Sequence, residues 1–226
     1  MAYEPRMLDY PLFISYPRSG SYWINCVAEL YFDRPRLREE RVTLLPEDRT
    51  DWMWFHDHDI DLDIEHDHVL YLYRDPVDVI YSLLVAEQGK IKKRDGKKIE
   101  ELASALCKHY DKYLGEEGAA KAVIRYEACR EDLAGQFKEV TRYFGQEFDL
   151  QRLDWAAEQV SKDTLVKAAS ARQKRPDQYM NEKMLKEAYS KKREQFRLDY
   201  GGQIVEIAIP EHLASFFRPL QDIQAV

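Results

Sequence analysis

Residues 11–27 read PLFISYPRSGSYWINCV. An apolar run at 12–16 drops into Pro17-Arg18-Ser19-Gly20-Ser21 and climbs directly into a helical pattern at Trp23. A helix N-terminus exposes unpaired backbone N–H groups and carries roughly half a positive charge, so a loop placed there suits an anion. Gly20 allows close backbone approach, Ser19 and Ser21 add donors, and Arg18 supplies a charged planar fork. A phosphate or sulfate is the natural occupant; an ordinary turn with a serine cap is the alternative. The stretch fails the nucleotide P-loop pattern GxxxxGK[ST], because Ser21 stands where lysine is needed and no glycine lies five positions before Gly20.

Further strand-like runs rich in β-branched and aromatic residues appear near 52–56, at 69–73 (VLYLY) and at 122–126 (AVIRY). They are apolar on both faces, as strands of a buried parallel sheet are. Helical patterns at 23–32, 77–87, 99–114 and 133–144 lie between and after them, with Gly115 and Gly145 where helix C-terminal glycines belong. The alternation predicts an α/β fold of three layers, a central parallel sheet flanked by helices. Its N-terminal strand–loop–helix is P-loop-like, and its C-terminal part is helical. That helical tail is expected to break near Arg175-Pro176 and to turn at Gly201-Gly202. No repeat or linker divides the 226 residues, which suit one domain, 1–226.

The formal net charge of −7 argues against nucleic acid as a partner. The three cysteines show no CxxC spacing, MAYEPRMLDYP has no apolar signal core, and no run nears the ~20 apolar residues of a membrane span. The expectation is a cytoplasmic protein with reduced thiols and no membrane association.

A second segment, VLYLYRDPVDVIYSLL (69–84), repeats the strand-to-helix design. Asp75 suits the cap and Pro76 the first helical turn, Arg74 leaves the strand end, and Ser82 follows two turns into the helix. Arg74 could also simply pair with Asp78. Together the two segments resemble the sulfotransferase family that uses 3′-phosphoadenosine-5′-phosphosulfate (PAPS). PRSGSYW looks like its 5′-phosphosulfate loop, RDPVDVIYS like its 3′-phosphate motif, and VIRYEACREDL (123–133) like its late strand ending in Tyr-Glu. The resemblance spans roughly residues 12–145.

The resemblance implies the following roles. Arg18 matches the loop lysine at the oxygen bridging phosphate and sulfur, where charge grows as the S–O bond breaks. Ser19, Gly20, Ser21 and Tyr22 would hold the 5′-phosphate, although Tyr22 replaces the commoner threonine. Trp23 and Tyr126 would lie against the purine, Arg74 and Ser82 would grip the 3′-phosphate, and Glu127 would be structural. In KKREQFRLDYGG (191–202), Arg197, with Arg193 second, is the candidate for the late segment that closes over that phosphate, though the family's Arg-Lys-Gly triplet is absent. The acceptor would be a small molecule or a glycoside bearing a hydroxyl or amine.

Residues 56–68, HDHDIDLDIEHDH, place an acid at every odd position from Asp57 to Asp67. On an extended backbone six carboxylates share one face, and His56, His58, His66 and His68 the other. The family's general base is a histidine at this point of the chain. Asp57-His58-Asp59 resembles the His-Asp pair of bacterial members, which favours His58 over His56. The run lacks the distant ligands of a zinc site, and no metal is expected. Trp52, Trp54, Phe55, Tyr81 and Tyr110 could line an acceptor pocket or fill the core. The reading is a PAPS-dependent sulfotransferase; a P-loop-type small-molecule kinase and a non-catalytic nucleotide-binding relative remain as alternatives.

Overall fold

The apolar run after Pro11 forms β1 (Leu12–Ser15), all four residues buried. The computed structural model describes residues 10–37, 45–46, 48–88, 96–115, 118–160 and 182–218, the side chains of 87–88 and 182–190 excepted. The expected break at Arg175-Pro176 lies outside the described residues.

After β1 come α1 (Ser21–Phe32), β2 (Phe55–Asp57), β3 (Val69–Tyr73), α2 (Pro76–Gln88), α3 (Gly96–Leu114) and β4 (Ala122–Arg125). Helices α4 (Tyr126–Glu131), α5 (Leu133–Tyr143) and α6 (Leu150–Gln159) follow, then α7 (Glu182–Ala208) and a 3₁₀ helix (Glu211–Phe217). Among the described residues, four parallel strands stand in the order β2-β1-β3-β4, with Leu12 level with Phe55 and Val69, and Leu70 with Ala122. The period-2 side-chain alternation splits each central strand between two cores. Leu12, Ile14, Val69, Tyr71 and Tyr73 pack with α2, α3 and α7 on one face. Phe13, Leu70, Leu72 and Ile124 pack with α1, α5 and α6 on the other. Each such side chain contributes about 1.5–3 kcal/mol by leaving water, so the two cores together hold the three layers. Trp54, Tyr81 and Tyr110 are core residues, each at most 2% exposed.

The strand order also places the site. From β1 the chain moves to β2 on one side of the sheet, and from β3 it moves to β4 on the other. Ligands of open α/β sheets gather at the carboxyl ends of such a pair, where the topology switches direction. The residues leaving those two strands are the Pro17–Gly20 loop and Arg74.

Three expectations are corrected. Gly201-Gly202 lies inside α7 and makes no turn. Phe196, Ile204 and Ala208 of that helix are buried against the α2–α3 core, and this packing overrides the roughly 1 kcal/mol that each helical glycine costs. The strand expected near 52–56 is confined to Phe55–Asp57, and Tyr126 opens α4 instead of ending β4. Among the described residues, no helix is long and apolar enough to cross a membrane.

Candidate functional site

The loop after β1 begins as a tight turn, with the Ser19 N–H donating to the Tyr16 carbonyl at 3.2 Å. Pro17 takes the second position and Arg18 the third, at φ 71°. A turn of that pattern would ordinarily choose glycine at the third position. The left-handed arginine costs about 1 kcal/mol or more, and such strain concentrates where a side chain is needed for function. Arg18 is exposed. The Ser19 hydroxyl is fully buried and has no hydrogen-bond partner among the described residues. Gly20, at φ 92°, caps α1 and offers no side-chain acceptor to the first N–H groups of that helix. Behind the loop, the Trp54 indole N–H donates to Asn25 Oδ1 at 2.8 Å, and Asn25 Nδ2 donates to the Ser21 carbonyl at 2.7 Å. These bonds tie the first turn of α1 to the segment entering β2.

The glycine has a second reason to be there. A Cβ on Gly20 would lie 2.3 Å from the Tyr126 Cε2 atom. The Tyr126 ring covers Gly20, meets Trp23 edge-on at 6.1 Å between centroids, and carries the Arg74 guanidinium 4.4 Å from its own centroid. Strain and overpacking therefore add in Gly20→Ala, which is expected to lower stability by about 2–4 kcal/mol. Urea denaturation checks this; a loss below about 1 kcal/mol would mean that Tyr126 moves aside freely.

At the end of β3, Arg74 Nη1 donates to the Arg18 carbonyl at 3.0 Å, joining the two predicted motifs directly. The Arg74 guanidinium also lies 3.6 Å from the Asp78 carboxylate and 4.0 Å from that of Glu127. Asp75 caps α2 as expected, its Oδ1 accepting the Val77 and Asp78 N–H groups at 2.9 and 3.2 Å. Helix α7 crosses this cap. Arg197 forks onto both Asp75 oxygens at 3.1 and 3.2 Å and reaches Asp78 at 2.9 Å, and Arg193 Nε meets Asp78 at 2.7 Å. Glu127 accepts the Asp75 N–H at 3.1 Å and the Arg125 Nε–H at 3.2 Å, clamping the ends of β3 and β4 together. Burial, then the guanidiniums of Arg74 and Arg197, push the Arg193 pKa down to about 10. Arg74, Arg125, Arg193 and Arg197 thus face Asp75, Asp78 and Glu127, an excess of positive charge beside the loop. Ser82 is 7% exposed on α2.

Of the four histidines of the acidic run, His56 and His58 reach the end of β1. His58 Nδ1 lies 2.6 Å from the Ser15 carbonyl, an acceptor only, so Nδ1 carries the hydrogen and the neutral ring keeps its lone pair on Nε2. His56 is 2% exposed, with Nε2 3.5 Å from the Ser15 hydroxyl and its ring edge-on to Phe13. The extended alternation expected over 56–68 ends at Asp57. That carboxylate turns back to accept the His58 and Asp59 N–H groups at 2.6 and 2.7 Å, as aspartates in turns do. Asp59 is buried at φ 42°, whereas Asp61, Asp63, Glu65 and Asp67 are exposed, so the six acids share no face. Burial pushes the Asp59 carboxyl up, but Lys112 at 2.6 Å, the Tyr113 hydroxyl and the Ile64 N–H outweigh it and hold the pKa below the usual range. Among the described residues, no group of three His, Cys, Asp or Glu could hold a metal ion.

His109, on α3, escaped the sequence reading. The signal was present in HYDKY (109–113): His109, Lys112 and Tyr113 share a helix face at i, i+3, i+4 spacing, beside buried Leu106 and Tyr110. His109 faces Tyr16, His58, Asp59, Tyr71, Lys112 and Tyr113. Burial above all lowers its pKa from 6.5 to about 4. The unfolded chain therefore binds the extra proton between pH 6.5 and about 4, and stability falls as pH drops through that window. The expected loss at pH 4.5 is about 2–3 kcal/mol relative to pH 7. Urea midpoints at the two pH values should converge in His109→Gln by about that amount.

The structure brings Arg18, Ser19, Gly20, Trp23, Arg74, Tyr126, Arg193 and Arg197 to the switch point, with His56 and His58 beside it on Ser15. No curated protein matches the chain. Among solved structures, it is similar to the crystal structure of mouse sulfotransferase SULT7A1 complexed with PAP, at TM-score 0.46 and 14% identity over 84% of this chain and 88% of that one. The sulfotransferase domain family matches residues 62–214, about two thirds of the chain. That span holds Arg74, Ser82, Tyr126, Arg193 and Arg197; the loop at 17–23 and both β1-anchored histidines lie outside it. With a match over more than half of its length, the chain belongs to the sulfotransferase domain family.

Proposed function

We propose that the protein, acting as a single domain in the cytoplasm, transfers the sulfuryl group of PAPS to a hydroxyl or amine of a small-molecule or glycoside acceptor. The observation that carries this reading is the 3.0 Å bond from Arg74 to the Arg18 carbonyl, which sets two anion-binding elements side by side. The residues present fit such a donor. The buried Ser19 hydroxyl and the first N–H groups of α1 suit its 5′ end. Arg74, backed by Arg193 and Arg197 and with Ser82 following, suits the 3′-phosphate. Trp23 and Tyr126 offer aromatic surface between them.

PAPS supplies an activated sulfuryl group on a good leaving phosphate. Arg18 stabilises the charge that gathers on that phosphate, acting as a fixed cation since guanidinium does not give up its proton. His58 Nε2 accepts the acceptor's proton, and the Ser15 carbonyl holds the tautomer that leaves this nitrogen basic. His58 is preferred to His56 because it is the more exposed of the two.

Thermal-shift titration with 3′,5′-adenosine bisphosphate, AMP and ATP with magnesium tests the donor. At 100 times its Kd the bisphosphate should stabilise by about 2.7 kcal/mol, a rise of roughly 5–10 °C. A larger rise with ATP and magnesium overturns the reading in favour of a kinase. Sulfuryl transfer from labelled PAPS to a panel of phenols, alcohols, amines and glycosides then identifies the acceptor.

A further inference from the structure

The reading of His58 as the base raises the question of what holds that segment in place, and the answer lies on α3. Resting on that reading, we propose that His109 is a positioning residue for His58, fixing its imidazole against the end of β1 through the His58 backbone. His109 Nε2 lies 2.9 Å from the His58 carbonyl oxygen. A carbonyl only accepts, so Nε2 carries the hydrogen and Nδ1 the lone pair. The Tyr71 hydroxyl donates to that lone pair at 2.8 Å. Both ring nitrogens are engaged by groups that dictate one tautomer, and the ring is 1% exposed. Burial keeps it neutral near pH 7, so it works as a fixed donor and takes no part in moving a proton.

The same helix face secures the next residue. Lys112 Nζ reaches Asp59 Oδ2 at 2.6 Å and the Ile64 carbonyl at 2.7 Å, while the Tyr113 hydroxyl donates to the same carboxylate. Asp59 holds the uncommon φ of 42°, which needs such outside support. Two neighbouring elements thus grip His58, in addition to the Asp57 carboxylate that takes its N–H. Its carbonyl is bound by α3, and its Nδ1–H is bound by the Ser15 carbonyl of β1 at 2.6 Å. Neither grip alone fixes the ring: the backbone bond sets where the residue sits, and the β1 bond sets how the imidazole turns. Without the His109 donor, the carbonyl of residue 58 loses its partner on α3 and the Nδ1–H···Ser15 bond rests on a looser backbone. The two other polar residues of that face, Lys112 and Tyr113, bind residue 59 and the carbonyl of residue 64, so they do not replace it.

Two polar substitutions separate this role from general packing. Glutamine at 109 places its amide nitrogen near the position of Nε2 and can still donate to the His58 carbonyl. Asparagine is one methylene shorter; it keeps a partner for Tyr71 but does not reach residue 58. The readout is the histidine tautomer, from long-range ¹H–¹⁵N correlation spectra of the ¹⁵N-histidine-labelled full chain at pH 7. The six histidines are assigned by single substitution. In the wild type, His58 should show the Nδ1–H tautomer and His109 the Nε2–H tautomer. His109→Gln should preserve the His58 pattern, and His109→Asn should replace it with exchange between both tautomers. An unchanged His58 pattern in His109→Asn, or an Nδ1–H tautomer for His109 itself, overturns the proposal. Should one variant fail to fold, the wild-type tautomers and the other variant still decide it. Binding of 3′,5′-adenosine bisphosphate is measured on the same samples and keeps the two readings apart. A chain that shows these tautomers yet binds no bisphosphate refutes the donor and retains the His109–His58 link; a chain that binds bisphosphate without them refutes the link alone.

Discussion

Replacing His58 with glutamine is expected to lower sulfuryl transfer by about 10²–10⁴-fold while leaving affinity for 3′,5′-adenosine bisphosphate within about twofold of wild type. The split follows from the geometry. His58 is held at the end of β1 through Nδ1, so in the proposed role its loss would remove a proton acceptor and leave the Pro17–Gly20 loop intact. His56 gives the opposite profile. It is buried, edge-on to Phe13 and near the Ser15 hydroxyl, so His56→Gln is expected to cost about 1–3 kcal/mol of stability through lost packing and an unsatisfied hydroxyl. Turnover per folded molecule should fall far less. An active His58→Gln beside an inactive, fully folded His56→Gln would reverse the assignment.

Arg74→Ala should weaken binding of 3′,5′-adenosine bisphosphate about a hundredfold or more, since the proposed 3′-phosphate site would lose its partly buried charged fork. AMP, which lacks the 3′ group, supplies the control. Arg74 also donates to the Arg18 carbonyl, so its loss slackens the neighbouring loop for either ligand. Only the bisphosphate should show the additional decrement. Equal losses for both nucleotides, measured by calorimetry, would make Arg74 a brace of the loop and remove the 3′-phosphate from its duties. Arg74→Lys should recover part of the affinity, because lysine restores the charge without the planar fork.

The layers were legible because burial on both faces leaves uninterrupted apolar runs, as in VLYLY, and because caps such as Asp75-Pro76 announce helix starts locally. The meeting of Arg18 with Arg74 was legible only through resemblance, since strand order is a long-range property that no local pattern carries. The histidine–acid run misled for a related reason. Its alternation satisfies the strand pattern, but the Asp57 carboxylate offers two backbone N–H groups a closer partner, and the Lys112 ammonium draws Asp59 inward. Gly201-Gly202 misled in the opposite direction: glycine marks turns on average, yet buried neighbours at helical spacing, Phe196 and Ile204, outweigh it. His109 was missed because its partners, a backbone carbonyl and a tyrosine 38 positions away, leave no trace in nearby sequence.

Helix α7 supplies Arg193 and Arg197 to carboxylates that precede them by 115 and 122 positions. During synthesis on the ribosome, the loop and the first three strands emerge long before these arginines do. A nascent chain stopped ahead of α7 carries Asp75 and Asp78 without two of their cationic partners, so this corner of the sheet gains its surplus of positive charge only once α7 has docked.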